Sequence, residues 1–164
     1  MGDVMKKAAV FDIDGTLADV SEHLHHLVHH PDKPRNWDGF HNDCMEAPVK
    51  QDVLALLDFH FSICGHSIIL MTSRNEDYKD QTLVWLEKNK IPYHELIMRS
   101  SGDRRPSEDV KEGKMRVVQE SYEVVHFYDD HPRVVERISN MGYNVTKIPG
   151  YEKDRLMMKG ITED

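Results

Sequence analysis

Residues 6–20 read KKAAVFDIDGTLADV, an apolar run that ends in two aspartates one residue apart, followed by Gly15 and Thr16. The unbroken apolar stretch at 8–11 suits a short strand buried on both faces. Side chains alternate along extended backbone, so Asp12 and Asp14 fall on the same side. Like charges held that close repel, and a cation at the strand end would relieve them.

Two later segments repeat this form. Residues 68–71 (IILM) run into Thr72, Ser73 and Arg74, and residues 124–128 (VVHFY) run into Asp129 and Asp130. Weaker strands are predicted at 94–99 and 144–148. Helical spacing lies between them. Val49, Val53, Leu56, Leu57 and Phe61 mark one face of a helix entered after Pro48. Leu83 and Leu86 anchor a second between Asp77 and Lys90. Val110, Val117 and Val118 mark a third that starts near Pro106 and Ser107. Val134, Val135, Ile138 and Met141 mark a fourth, closed by Gly142. Strands alternating with helices predict βαβ units, and so an α/β fold whose mostly parallel sheet carries helices on both faces.

Residues 19–47 interrupt the alternation and are too long for an ordinary loop. SEHLHHLVHH and NWDGFHNDCM carry their own helical spacing, which predicts a small helical insertion over the end of the first strand. Trp37 and Phe40 read as its small core. His25 with His29 and His26 with His30 are i,i+4 pairs, spaced to grip a transition metal or to face solvent and the cleft.

Composition sets bounds. Of 164 residues 39% are hydrophobic and 30% charged, which suits a single folded domain. The formal charge of −8 argues against a broad basic face for sliding along nucleic acid, although a local pocket for one phosphate remains compatible. No apolar run is long enough for a membrane span, the N-terminus lacks a secretory pattern, and no segment reads as an obligate protein-docking element. Cys44 and Cys64 have no metal-type spacing, so reduced thiols in a cytoplasmic protein are expected.

In open parallel sheets ligands bind beyond the carboxyl ends of the strands. Asp12, Asp14, Asp129 and Asp130 are all predicted there, and four carboxylates converging need a cation. Oxygen ligands of this kind suit Mg²⁺, which also accepts a substrate phosphate. Asp12 would attack phosphorus to form an aspartyl-phosphate, and Asp14 would serve as acid and then base. Thr16 would orient the carboxylates, Thr72 would hold phosphoryl oxygens, and Lys111 or Lys114 would offset their charge.

FDIDGTLA, MTSR, VK and YDDHP, in that order, resemble the four motifs of the haloacid dehalogenase-like (HAD) phosphatase superfamily. The resemblance implies a Rossmann-like three-layer α/β/α sandwich with a small helical cap after strand 1. Its HAD-like domain would span residues 1–150, with the cap at about 19–47 and a C-terminal tail at 151–164. It also implies Asp12 as nucleophile, Asp14 as acid/base, Thr72 as phosphate ligand and Lys111 as the stabilising lysine. Mg²⁺ would be held by Asp12, the Asp14 carbonyl and Asp130, with Asp129 in support.

MTSRNEDYKDQTLVWL, MRSSGDRRPSEDVKE and YDDHPRVVERISNMGYNV are similar more narrowly to 3′-phosphatase modules of the bacteriophage polynucleotide kinase-phosphatase type. That resemblance makes Ser73 and Arg74 substrate contacts and implies a phosphorylated nucleic-acid end or a nucleotide as substrate. It also raises a phage-encoded origin. Arg104 and Arg105 read as surface cations. No GxxxxGK[ST] motif is present, so no P-loop kinase half accompanies it. The competing expectations are a nucleotidase acting on nucleoside monophosphates and a non-catalytic module that holds a phosphorylated end.

Overall fold

The computed structural model describes residues 4–27 and 32–150. His29, His30 and the expected tail at 151–164 lie outside them. Strands β1 (Lys6–Phe11), β2 (Ser67–Asn75), β3 (Glu95–Arg99), β4 (Tyr122–Asp129) and β5 (Val145–Lys147) form one parallel sheet in the order β3-β2-β1-β4-β5. Helices α1 (Trp37–Asp43), α2 (Gln51–Asp58), α3 (Lys79–Lys88), α4 (Ser107–Val118) and α5 (Pro132–Asn140) fill the connections.

The central strands read as continuous apolar runs because both of their faces are covered. Ala9 and Phe11 of β1, with Ile68 and Leu70 of β2, pack against Val53, Leu57, Trp85 and Leu86 from α2 and α3. The intervening residues Ala8, Val10, Ile69 and Met71 point the other way, onto Met115, Val118, Val134 and Ile138 from α4 and α5. Three layers result, as the alternation of elements predicts.

The chain adds β2 and β3 on one side of β1, then crosses back to place β4 and β5 on the other. Strand order therefore reverses between β1 and β4, and a crevice opens there at the carboxyl ends of the strands. The carboxylates lie at this point.

Some local expectations differ. β2 continues through Thr72, Ser73 and Arg74, and its pairing with β3 shifts register between Met71 and Asn75. These three residues sit in an irregular strand end rather than in a loop beyond it. Leu56, Phe61 and Val117 are exposed. His60 takes the inward place expected of Phe61, because its ring can bond the Tyr128 hydroxyl at 2.8 Å. On α4 the inward positions belong to Val110, Lys111, Met115 and Val118. On α3 Leu86 is buried as expected, Leu83 is half-buried, and Trp85 is a further buried anchor.

The insertion is pinned at its base. Ala18 bridges Val49 antiparallel, Asp19 N donates to Pro48 O at 2.8 Å, and Lys50 N donates to Leu17 O at 2.8 Å. Within it, Ser21–Leu27 is a 3₁₀ turn and the Asn36 side chain caps α1 by accepting from Gly39 N. Among the described residues it has no separate core. Leu27, Phe40, Cys44 and Ala47 join the apolar cluster of Phe11 and Trp85, whereas Trp37 is 48% exposed. The Trp85 indole N–H donates to Ala47 O at 2.9 Å, tying the insertion to α3.

Trp85 is thus both a packing centre and a tether. Trp85→Ala is expected to lower unfolding stability by about 3–5 kcal/mol, read as a drop in the urea midpoint at unchanged slope.

Candidate active site

Beyond β1 the backbone turns tightly. Asp12 N still donates to Tyr128 O of β4, and Ile13 O then accepts from both Thr16 N and Ala18 N. Gly15 stands at φ +84°, and a Cβ there would run into the Asp130 carboxylate. The position needs glycine both for its backbone and for its closeness to Asp130. Lys50 Nζ reaches in to donate to Gly15 O at 2.7 Å.

Asp12, Asp129 and Asp130 bring carboxylate oxygens within 4.8 Å of one another, and all three side chains are buried. Lys111, on the inner face of α4, donates to Asp12 Oδ1 at 2.8 Å and to Asp129 Oδ2 at 2.6 Å. The Thr16 hydroxyl lies 3.0 Å from Asp12 Oδ2 and 3.3 Å from Asp130 Oδ1. Asp129 Oδ1 accepts from His131 N at 2.9 Å, at the cap of α5.

With all three carboxylates ionised against one ammonium, two negative charges are unmatched in a buried cluster. Burial first, then the charge on Asp12, pushes the Asp129 and Asp130 carboxyls above the usual range. Burial alone would lower Lys111, but Asp12 and Asp129 hold it above its ordinary value. This donor set fits a hard divalent cation: the ligands are all oxygen, and a dication would offset the charge that one ammonium leaves unmatched.

The fourth predicted carboxylate stands apart. Asp14 is held by Arg74, whose Nη2 donates to Oδ1 at 2.5 Å and whose Nε donates to Oδ2 at 3.3 Å. Arg74 Nη1 donates to the Thr82 hydroxyl at 2.8 Å. The guanidinium is buried and its nitrogens are turned to Asp14 and Thr82, so here it orients Asp14 instead of presenting itself to a phosphate. Thr72 is buried, with Oγ1 accepting from Arg74 N at 3.0 Å. Ser73 Oγ is buried without a partner among the described residues. Lys114 is half-buried and reaches Ser100 Oγ at 3.3 Å, so of the two candidate lysines it is Lys111 that meets the carboxylates. Arg105 pairs with Asp103 at the surface.

Two contributors escaped the sequence patterns. His41 of α1 is buried, and its Nδ1 has no partner among the described residues. Burial lowers its pKa to about 4, with Asp14 and Arg74 among the charges acting on it. Nothing in helical spacing separates such a histidine from a solvated one. Arg99 ends β3 and donates to Ser73 O at 2.9 Å, as well as to Asp103 O and Arg105 O. Its place at a carboxyl strand end was the available signal.

A parallel sheet with acidic residues gathered at its switch point is the architecture of the HAD phosphatases, and this chain is one of them. Residues 6–150 match the profile of the polynucleotide kinase PNKP phosphatase domain, and the chain belongs to that family. It resembles a Bacillus cereus protein named "Putative nucleotidase", at 26% identity over 167 residues and 82% of each chain. Among solved structures it is similar to a chain of the Pnkp1/Rnl/Hen1 complex, with a TM-score of 0.72 and 24% identity over 88% of this chain and 46% of that one. The class C acid phosphatase from Bacillus anthracis superposes with a TM-score of 0.66 and 20% identity, covering 90% of this chain and 68% of that one. The chain therefore spans less than half the length of the Pnkp1/Rnl/Hen1 chain it matches. No helix among the described residues is long and apolar enough to cross a membrane.

Removing one partner of a buried ion pair leaves the other charge stranded. Lys111→Ala is expected to cost about 3–5 kcal/mol of stability, whereas Lys114→Ala changes it by less than about 0.5 kcal/mol. Chemical denaturation of the two variants tests the contrast.

Proposed function

We propose that the protein is a Mg²⁺-dependent phosphomonoesterase that works through an aspartyl-phosphate and acts on a 3′-phosphate at a polynucleotide end. The observation that carries the reading is the buried group of Asp12, Asp129, Asp130 and Lys111 at the switch point, short of two positive charges. Asp12, Asp130 and the Asp14 carbonyl would hold the ion, with Asp129 in support. Once bound, Mg²⁺ would screen the carboxylates from the incoming phosphate and polarise its oxygens.

An Asp12 carboxylate oxygen attacks phosphorus as the bond to the leaving oxygen breaks, and Asp14 gives that oxygen a proton. Asp14, now a carboxylate, takes a proton from water. The water oxygen then attacks phosphorus, the bond to Asp12 breaks, and inorganic phosphate leaves. Lys111 and Thr16 fix both oxygens of Asp12, which favours a single line of attack. Arg74 positions Asp14. Thr72 and the Ser73 hydroxyl, which has no partner among the described residues, supply donors for the phosphoryl oxygens.

The polynucleotide part of the reading rests on family membership and on likeness to a protein of an RNA repair complex. The aromatic side of the cap adds to it. The His41 ring lies 4.2 Å from that of Tyr78 and stacks at 5.9 Å with the exposed Trp37. Trp37 and Tyr78, backed by the buried His41, form a surface on which a sugar or base beside the reacting phosphate could rest. Action on nucleoside monophosphates is the second reading, favoured by the name of the Bacillus cereus relative.

Asp12→Asn is expected to abolish hydrolysis of p-nitrophenyl phosphate while circular dichroism stays unchanged. A chelator should silence the wild-type enzyme until Mg²⁺ is restored. Wild-type turnover by Asp12→Asn would overturn the nucleophile assignment. Side-by-side kcat/KM values for 3′-phosphorylated oligonucleotides and nucleoside monophosphates separate the two substrate readings. His41→Ala is expected to raise KM for the preferred nucleotidic substrate at least fivefold, with p-nitrophenyl phosphate affected less.

A further inference from the structure

A second cluster of metal-ligating side chains lies at the other end of β2. α2 continues into a wide π-turn at Phe59–Ile63 and ends at Cys64. Gly65 follows at φ +68°, the left-handed conformation that lets the chain double back. His66 N then donates to His60 O at 2.9 Å, and Cys64 N to Phe59 O at 3.1 Å. This bend brings His60 Nδ1 and His66 Nδ1 within 2.9 Å of each other. The Cys64 Sγ completes a group whose donor atoms all lie within 4.8 Å of one another.

Two imidazole nitrogens pointing at each other can share only one proton if both rings are neutral. Burial, then His66 and His126, lowers the His60 pKa and disfavours its charged form. His60 is also held from behind, its Nε2 lying 2.8 Å from the Tyr128 hydroxyl. When Nε2–H donates to Tyr128, Nδ1 is left as a lone pair facing His66 and Cys64.

We propose that His60, Cys64 and His66 form a site for a zinc-class divalent transition metal, bound through His60 Nδ1, His66 Nδ1 and the Cys64 thiolate. Two nitrogens and one sulfur are soft for Mg²⁺ and suited to Zn²⁺ or Co²⁺. Tetrahedral ligation at zinc–nitrogen lengths sets the two nitrogens about 3.3 Å apart, so the rings need to part only slightly. Cys64 is exposed, which gives the metal an entry path and leaves the fourth position to water. Binding releases the thiol proton. His66 immediately precedes β2, and Thr72 lies six residues further on, about 20 Å of strand. The site is therefore separate from the carboxylates, and it would clamp the end of α2 to the start of β2.

The exposed group His25, His26 and Asp43 is the internal control. It also brings three ligating atoms together, but it offers no thiolate, and His26 is already paired with Asp43.

The test is titration of chelator-treated whole protein with Co²⁺, followed by visible ligand-field bands and the near-ultraviolet thiolate charge-transfer band. One equivalent is expected to produce both. Cys64→Ser should remove the charge-transfer band, and His66→Ala should weaken binding at least tenfold. Asp43→Asn should change neither. Zn²⁺ should raise the Tm of the wild type by more than that of Cys64→Ser, in which only the carboxylate site remains and whose fold is checked by circular dichroism. The proposal is overturned if the wild type gives no thiolate band, if the band survives Cys64→Ser, or if Asp43→Asn abolishes binding. None of these readouts depends on phosphatase activity.

Discussion

Lys111 lies between Asp12 and Asp129 with its side chain almost wholly out of water, and the strand ends can approach only because it does. A buried ammonium is costly without partners, and so are buried carboxylates. Each therefore depends on the other, and α4 is locked against β1 and β4 through charge as well as through packing. The compensation is incomplete. One lysine against three carboxylates leaves an electrostatic deficit, and that deficit sets the crevice apart from a well-paired interior.

The architecture was largely legible because it rests on periodicity. The apolar runs before Asp12, Thr72 and Asp129 reported strands covered on both faces, and their termini reported where the crevice opens. The lysine was legible only as a choice between Lys111 and Lys114, which the inward face of α4 separates. Side-chain direction at the strand ends was less so. Asp12 and Asp14 share a side only in ideal extended chain, and the turn at Gly15 separates them, sending Asp14 to Arg74. That pairing joins residues sixty positions apart, and no local pattern encodes it. Leu56, Phe61 and Val117 satisfied helical spacing but lie outside, since each face of the sheet needs only as many apolar side chains as it can cover. His41 gave no signal at all.

The insertion is best understood through its attachments. Its hydrophobic residues pack into the main core, Trp85 holds its last turn, and Tyr78 hydrogen-bonds Asp38 of α1. Lys88 adds a surface pair to Glu46. All three links run to α3 or to the turn before it. The insertion is thus fixed along one flank, and the aromatic surface of Trp37, His41 and Tyr78 straddles that join.

The reversal of strand order also governs when the protein can work during its own synthesis. β1 emerges first but occupies the middle of the sheet, and its second neighbour, β4, is more than a hundred residues downstream. A ribosome-bound chain that has not yet released Asp130 keeps one flank of β1 unzipped, with Asp12 still awaiting its acidic counterparts. Pairing so remote is slow to form and leaves sticky backbone bare meanwhile. The proposed site therefore assembles all at once, only when the segments from β1 through Asp130 are all available.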